Sequence, residues 1–108
     1  DGIETTVYVS TVASLPNAAA IATGNYTSGF VVANTVAATD VHSGTIVLTL
    51  ENAATFTWIS AGTLKSNTTT MQLSAGSKST SAELDRVRIT TVNGSDTFDA
   101  GTINISYE

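Results

Sequence analysis

Along most of the chain, apolar and polar residues alternate with a period of two, the spacing of a half-buried β-strand and not of a helix. Ile3 to Val12 is the first such run, with Ile3, Thr5, Val7, Val9 and Thr11 on one mostly apolar face. Pro16 and Asn17 punctuate it, and Ala18 to Ala22, which lacks a polar partner face, reads as loop. Phe30 to Ala33 is a continuous apolar run that predicts a short buried strand. Asn34 to Gly44 reads as a connection. Thr45 to Glu51 alternates cleanly, with Ile46, Leu48 and Leu50 on one face.

Asn52 to Ala54 turns the chain into a long strand or bent pair over Thr55 to Lys65, where Phe56 and Trp58 share one face and Gly62 marks a bulge. Thr69 to Ala75 follows with Met71 and Leu73 inward, and Ser74 to Ser77 is read as a turn. Leu84 to Val92 has the firmest alternation, Val87, Ile89 and Thr91 against Arg86, Arg88 and Thr90. Asn93-Gly94 is a strong hairpin signal, followed by polar residues as far as Gly101. Ile103, Ile105 and Tyr107 form a last inward row. Short strands punctuated this way predict an all-β chain, specifically an antiparallel sandwich or jelly roll in one domain over residues 1–108.

Composition sharpens this picture. Hydrophobic residues make up 42% of the 108 and charged ones only 12%, so neutral Thr and Ser must supply the polar surface. A mean hydropathy of +0.18 argues against disorder. The net charge of −5 opposes contact with nucleic-acid phosphates and with anionic membranes, and no apolar run is long enough to insert in a bilayer as a helix. Without cysteine, disulfides cannot staple so small a domain, which makes self-association the expected source of extra stability. The start at Asp1 without methionine leads us to expect a processed product or the visible part of something longer.

Candidate chemistry is sparse. His42 is the single histidine and must serve in any Ser-His-Asp arrangement; its neighbours Asp40 and Ser43 point to different faces of an extended segment, so a histidine in solvent or at a subunit contact is the plainer reading. No carboxylate pair is picked out by spacing, and we expect no enzyme and no cofactor. Asn93, Ser95, Asp96 and Asp99 cluster oxygen atoms suited to calcium, but turn-forming Asx residues explain the same letters without a metal. Arg86 and Arg88 share a strand face that suits an anionic sugar or phosphate; pairing with Asp99 or with another subunit's carboxylate is the simpler role. Trp58, in register with Phe56, is expected in the core. Tyr26, amid Gly24, Asn25, Thr27 and Ser28, is the aromatic expected to be exposed for stacking on a sugar.

Leu84 to Glu108, with its pattern LDRVRITTVNG-S-DTFDAG-T-INI, resembles the closing segment of a β-sandwich module of bacteriophage tail-fibre-like virion surface proteins. Weaker likeness extends over Gly2 to Thr6, Thr45 to Leu50 and Trp58 to Leu64. The family pattern carries glycine before the tyrosine of the first strand, where this chain has Val7, and it continues upstream of Asp1. The resemblance implies a homotrimeric fibre or spike on the virion surface, touching other virion proteins and host-surface carbohydrate. It implies roles for Val87, Ile89, Ile103 and Ile105 as the inner row of a terminal strand pair, for Phe98 as a cover over the core, and for Gly101 in a bulge. It transfers no catalytic residue. On this reading the contact loops are Ala18 to Ser28, Asn34 to Ser43 and Asn93 to Asp99, with Tyr26, Asn34, His42, Asn93, Asp96 and Asp99 as contact residues. A capsid decoration protein and an extracellular filament subunit are the alternative functions.

Overall fold

The computed structural model describes residues 2–34 and 36–108; Asp1, where we expected a processed or internal start, and Thr35 of the Asn34–Ser43 loop lie outside the described residues. Five strands form: β1 (Val9–Pro16), β2 (Ala22–Tyr26), β3 (His42–Asn52), β4 (Thr57–Ser66) and β5 (Thr70–Ser79). They make one sheet in the order β2-β1-β5-β4-β3, every neighbouring pair antiparallel. The all-β expectation is met. A second packed sheet is not present among the described residues.

The inner rows differ from those the alternation suggested. Val9 (66% exposed), Met71 and Leu73 stand on an open face, while their even-numbered neighbours Ser10, Val12, Ser14, Ser60, Ser66 and Gln72 are buried. The reason lies in Phe30 to Asn34. This run forms no strand; it lies across the even face of the sheet, where small side chains leave room for it. Val31 N–H donates to Ser10 Oγ at 3.0 Å, and the Gln72 amide bonds both the N–H and the carbonyl of Asn34. A Cβ on Gly76 would come within 2.9 Å of the Phe30 ring and 2.6 Å of the Val9 carbonyl, so only glycine admits the crossing there. A row of Ser, Gly and Gln reads as an outer face by hydropathy, yet it binds a covering segment through hydrogen bonds.

Several boundaries move for related reasons. Ser74 to Ser77 is no turn but the middle of β5, pairing with both β1 and β4. The bulge falls at Glu51, between Leu50 and Asn52, instead of at Gly62. β2 occupies part of the first expected loop. Ile3 to Tyr8 precedes the strand, and Val7 adopts φ 61, a left-handed backbone that strains a β-branched residue. This is the position at which the resembling pattern carries glycine.

The largest difference concerns residues 84–108, which contain no strand. Leu84 to Val92 and Ile103 to Tyr107 are unpaired, and Val87, Ile89, Phe98, Ile103, Ile105 and Tyr107 are 48–93% exposed instead of lining a core. Phe98 therefore covers nothing, and Gly101 (φ 134) introduces no bulge into a ladder. The local alternation is real, but a strand exists only where a neighbouring edge takes its hydrogen bonds. Asn93-Gly94 does turn the chain, through Gly94 N–H to the Thr91 carbonyl at 3.1 Å.

A clasp anchors the N-terminal segment to the end of β5. Glu4 Oε2 lies 2.6 Å from Lys78 Nζ, and Glu4 Oε1 accepts from Ser81 N–H at 2.7 Å and Ser81 Oγ at 2.8 Å. Lys78, only 7% exposed, also sits 5.3 Å from the centre of the Tyr8 ring, which packs edge-on against Phe30. The Lys78 ammonium, followed by the Ser81 donors, holds the Glu4 carboxyl at about 2, down from the usual 4.5.

Two outcomes follow from these contacts. Because Glu4 is more acidic folded than unfolded, its contribution is complete above about pH 4.5 and is lost as pH falls toward 2; denaturant titrations across that window should show stability declining, with a shallower decline in Glu4→Gln. Val7→Gly should relieve the left-handed strain, less glycine's entropy cost, and stabilise the fold by about 1 kcal/mol, read as a higher Tm.

Candidate functional site

A cleft of about 340 Å³ opens at the end of the sheet where β1 and β4 finish and β5 begins. Ser14 and Pro16 of β1, Ser66 of β4, and Thr70 and Gln72 of β5 line it, with Ala20 and Ala22 from one expected contact loop, Asp40 from the other, and Asn67 from the β4–β5 turn.

Asn67 organises this end of the molecule. At φ 55 it takes the left-handed turn conformation that asparagine tolerates. Its backbone N–H donates to the Val41 carbonyl at 2.8 Å, its Oδ1 accepts from Val41 N–H at 3.0 Å, and its Nδ2 donates to Asp40 Oδ1 at 2.7 Å. Asp40 Oδ2 accepts from Ala37 N–H at 2.8 Å. The Ala37 amide, then Asn67, lowers the Asp40 pKa below the ordinary carboxylate range, so the cleft carries one fixed negative charge at neutral pH.

His42 opens β3, not a loop, and its Nδ1 lies 2.7 Å from Ser66 Oγ. This joins a histidine and a serine, but Ser66 is 3% exposed and both Asp40 oxygens are held by Asn67 and Ala37. A nucleophile must reach substrate and its histidine must be oriented by the carboxylate; neither condition is met. Gln72, 1% exposed, bridges from the Asn34 backbone toward Ser66 Oγ, and the buried Asn34 Oδ1 has no hydrogen-bond partner. Asp40, Asn67 and Gln72 thus already hold the backbone and one another, and the Ser14 and Thr70 hydroxyls complete the polar lining beside the carboxylate.

None of the expected site residues lines this cleft: His42 and Asn34 lie behind it, bonded to its lining residues Ser66 and Gln72, and Asn34 is buried instead of offering a contact surface. Tyr26 is elsewhere, half-buried in β2 with its ring folded over Gly24, so it is not the exposed aromatic; Tyr107, expected to face inward, is 93% exposed. Trp58 and Phe56, both half-buried, line one hollow of about 170 Å³ with Leu50, Ala53, Glu83 and Leu84 instead of packing in a core, and Phe56 sits in the turn before β4. Asn93 and Asp96 bond each other, Nδ2 to Oδ2 at 2.7 Å, while Asn93 Oδ1 accepts from the N–H groups of Ser95 and Asp96. These are the contacts of an Asx turn, and the exposed Asp99 does not join them. Among the described residues, no three His, Asp or Glu side chains converge on a point where a metal ion could sit. Arg86 pairs with its neighbour Asp85 at 2.9 Å, not with Asp99, and Arg88 is exposed. That pairing raises the Arg86 pKa and lowers that of Asp85.

Gln72 and Asn67 were passed over in the sequence. Gln72 interrupts Met71 and Leu73 as an ordinary polar alternate would, and the one available signal for Asn67 was its place between two strand runs. Compared with protein-family models, curated proteins and solved structures, the chain matches none.

Gln72→Leu should leave both Asn34 backbone groups without partners, destabilising the fold by about 2–4 kcal/mol and exposing residues 30–34 to proteolysis before the sheet itself unfolds; Tm and limited digestion check both.

Proposed function

We propose that this chain is a structural module of a bacteriophage virion surface, in a tail fibre or spike, that assembles as a homotrimer and contacts host-surface carbohydrate without catalysing a reaction. One observation carries the reading: the folded chain leaves far more surface open than a self-sufficient domain does. Its accessible area is 7740 Å², against about 5,700 Å² for a compact monomer of this mass. Its radius of gyration of 14.3 Å likewise exceeds the ~13 Å typical of this length. Exposed apolar side chains are spread over the open face of the sheet and the C-terminal segment, and assembly is the ordinary way to cover them.

The sandwich belongs to the same proposal: the open face of Val9, Leu73 and Met71 is one half of a two-layer core that closes when further strands pack on it. The resemblance of residues 84–108 to a virion terminus supports the setting. The cleft supports the ligand class, since the Ser14 and Thr70 hydroxyls and the spare lone pairs of the Asp40 carboxylate suit sugar hydroxyls; shallow single-site affinity would be multiplied by three copies.

Light scattering should give a mass three times 11.1 kDa, and immobilised bacterial surface polysaccharide should retain the trimer while Asn67→Ala weakens that retention. A stable monomer, or a trimer that ignores every polysaccharide while protecting capsids from rupture, would overturn the host-contact reading; the second result would favour a decoration protein.

A further inference from the structure

We infer that the segment Leu84–Val92 of one copy adds as a sixth strand to the β3 edge of a second copy. This rests on the reading of the chain as a self-assembling module, and it names the surfaces involved. Three observations converge on it.

The first is an unfilled donor. Among the described residues, the sole backbone-to-backbone hydrogen bond within 84–108 is the Gly94–Thr91 turn, although Val87, Ile89 and Thr91 alternate as a strand requires. Extended backbone of this kind pairs readily with any sheet margin it meets.

The second is an unfilled acceptor. The sheet has two margins. β2 is five residues long and carries Gly24 and Asn25. β3 is eleven residues long, rich in Thr, Ile, Val and Leu, with no proline or lysine to blunt it. Its Ile46 and Leu50 are each 45% exposed and Val47 57%. One chain therefore presents a strand and a free margin together, the complementary pair from which head-to-tail assemblies are built; three such contacts close a ring if the rotation allows.

The third is the match between them. An antiparallel register that sets Val87 against Leu50 also sets Ile89 against Leu48 and Thr91 against Ile46, extending the apolar row of β3. The same register brings Arg86 beside Glu51 at the bulge, replacing its exposed contact with Asp85. Shifting by one residue would turn Arg86 and Arg88 onto the apolar row. The surplus of roughly 2,000 Å² per chain is about what two standard interfaces cover, at about 800 Å² per partner each, as a closed ring of head-to-tail contacts requires. Leu84 lines, with Leu50 and Trp58, the hollow at the end of its own chain's β3, yet the residues after it leave that margin open.

Cysteine pairs test the contact directly, because the chain has no cysteine of its own. Val87→Cys mixed with Leu50→Cys, and Arg88→Cys mixed with Thr49→Cys, are oxidised in glutathione buffer; alternate pairs of an antiparallel ladder approach closely, so one mixture should give a disulfide-linked dimer. Thr91→Cys mixed with Leu50→Cys should not. In uncrosslinked protein, Arg86→Glu should weaken self-association about five-fold, and Glu51→Arg in the same chain should restore it. A crosslink that forms only when both cysteines share one chain would show the segment returning to its own β3, and would overturn the proposal. So would a trimer that persists with no crosslink in either mixture, leaving the assembly reading intact but placing its contact elsewhere. A monomer throughout would overturn both.

Discussion

The structure depends on the hydrogen bonds between one face of the sheet and the segment Phe30–Asn34. Val12 and Val31 are the only large apolar side chains buried below one-tenth exposure among the described residues. A core that small cannot hold five strands by hydrophobic burial, which scales with the apolar area removed from water. The backbone ladder and the polar contacts of Ser10 and Gln72 take its place. Small residues make this feasible: Ser, Gly and Ala let the segment approach until its backbone groups reach side-chain partners. Placing a polar row inside obliges every member to find a partner, and Asn34 Oδ1, Ser74 Oγ and Trp58 Nε1 are buried without one.

The same constraint explains the charge placement. Lys78 is a buried cation in a chain with four basic residues, and it is tolerated because Glu4 and the face of Tyr8 surround its ammonium. Glu4 in turn is held by Ser81, so the clasp ties together the segment before β1 and the segment after β5 at one end of the sheet. At the opposite end, Asn67 and Asp40 do comparable work for the loop entering β3. The sheet is therefore pinned at both ends by polar contacts, and the surface between them, on the odd-numbered face, is left to be covered from outside.

The sequence was legible where local and long-range demands agreed. Thr45 to Glu51 and the strand around Trp58 are present because alternation there coincides with real neighbours on both or one side. Alternation specifies that a residue pair has two faces, and it cannot say which face is covered. Met71 and Leu73 look inward by hydropathy, yet a segment forty residues distant in the chain chose the side of Gln72. The cleft was scarcely visible: among the described residues from Asn34 to Ser43 only Asp40 lines it, while Gln72 and Asn67 join it only through strand pairing. Leu84 to Val92 alternates like a strand yet forms none for a related reason, since its pattern describes what the segment can do when given an edge.

Taken together, the open face and the unpaired terminus place the chain's binding free energy in contacts it has not yet made. A domain that satisfied every strand internally would be a better monomer and a poorer building block, because natural sheets blunt their margins to prevent the pairing that β3 permits. Keeping one long margin unblunted is tolerable only if a specific partner arrives faster than random ones, and register supplies that selectivity. An apolar row with a charged residue at one end fits in one alignment, whereas a row of threonines alone would slip. In the proposed pairing Arg86 and Glu51 would matter less for strength than for alignment, as exposed ion pairs contribute little energy but penalise like-charge neighbours. The cleft lies at the far end of the sheet from the hollow that Leu84 lines, so the proposed pairing along β3 would leave the cleft uncovered, and each copy would then add one weak site to a shared surface.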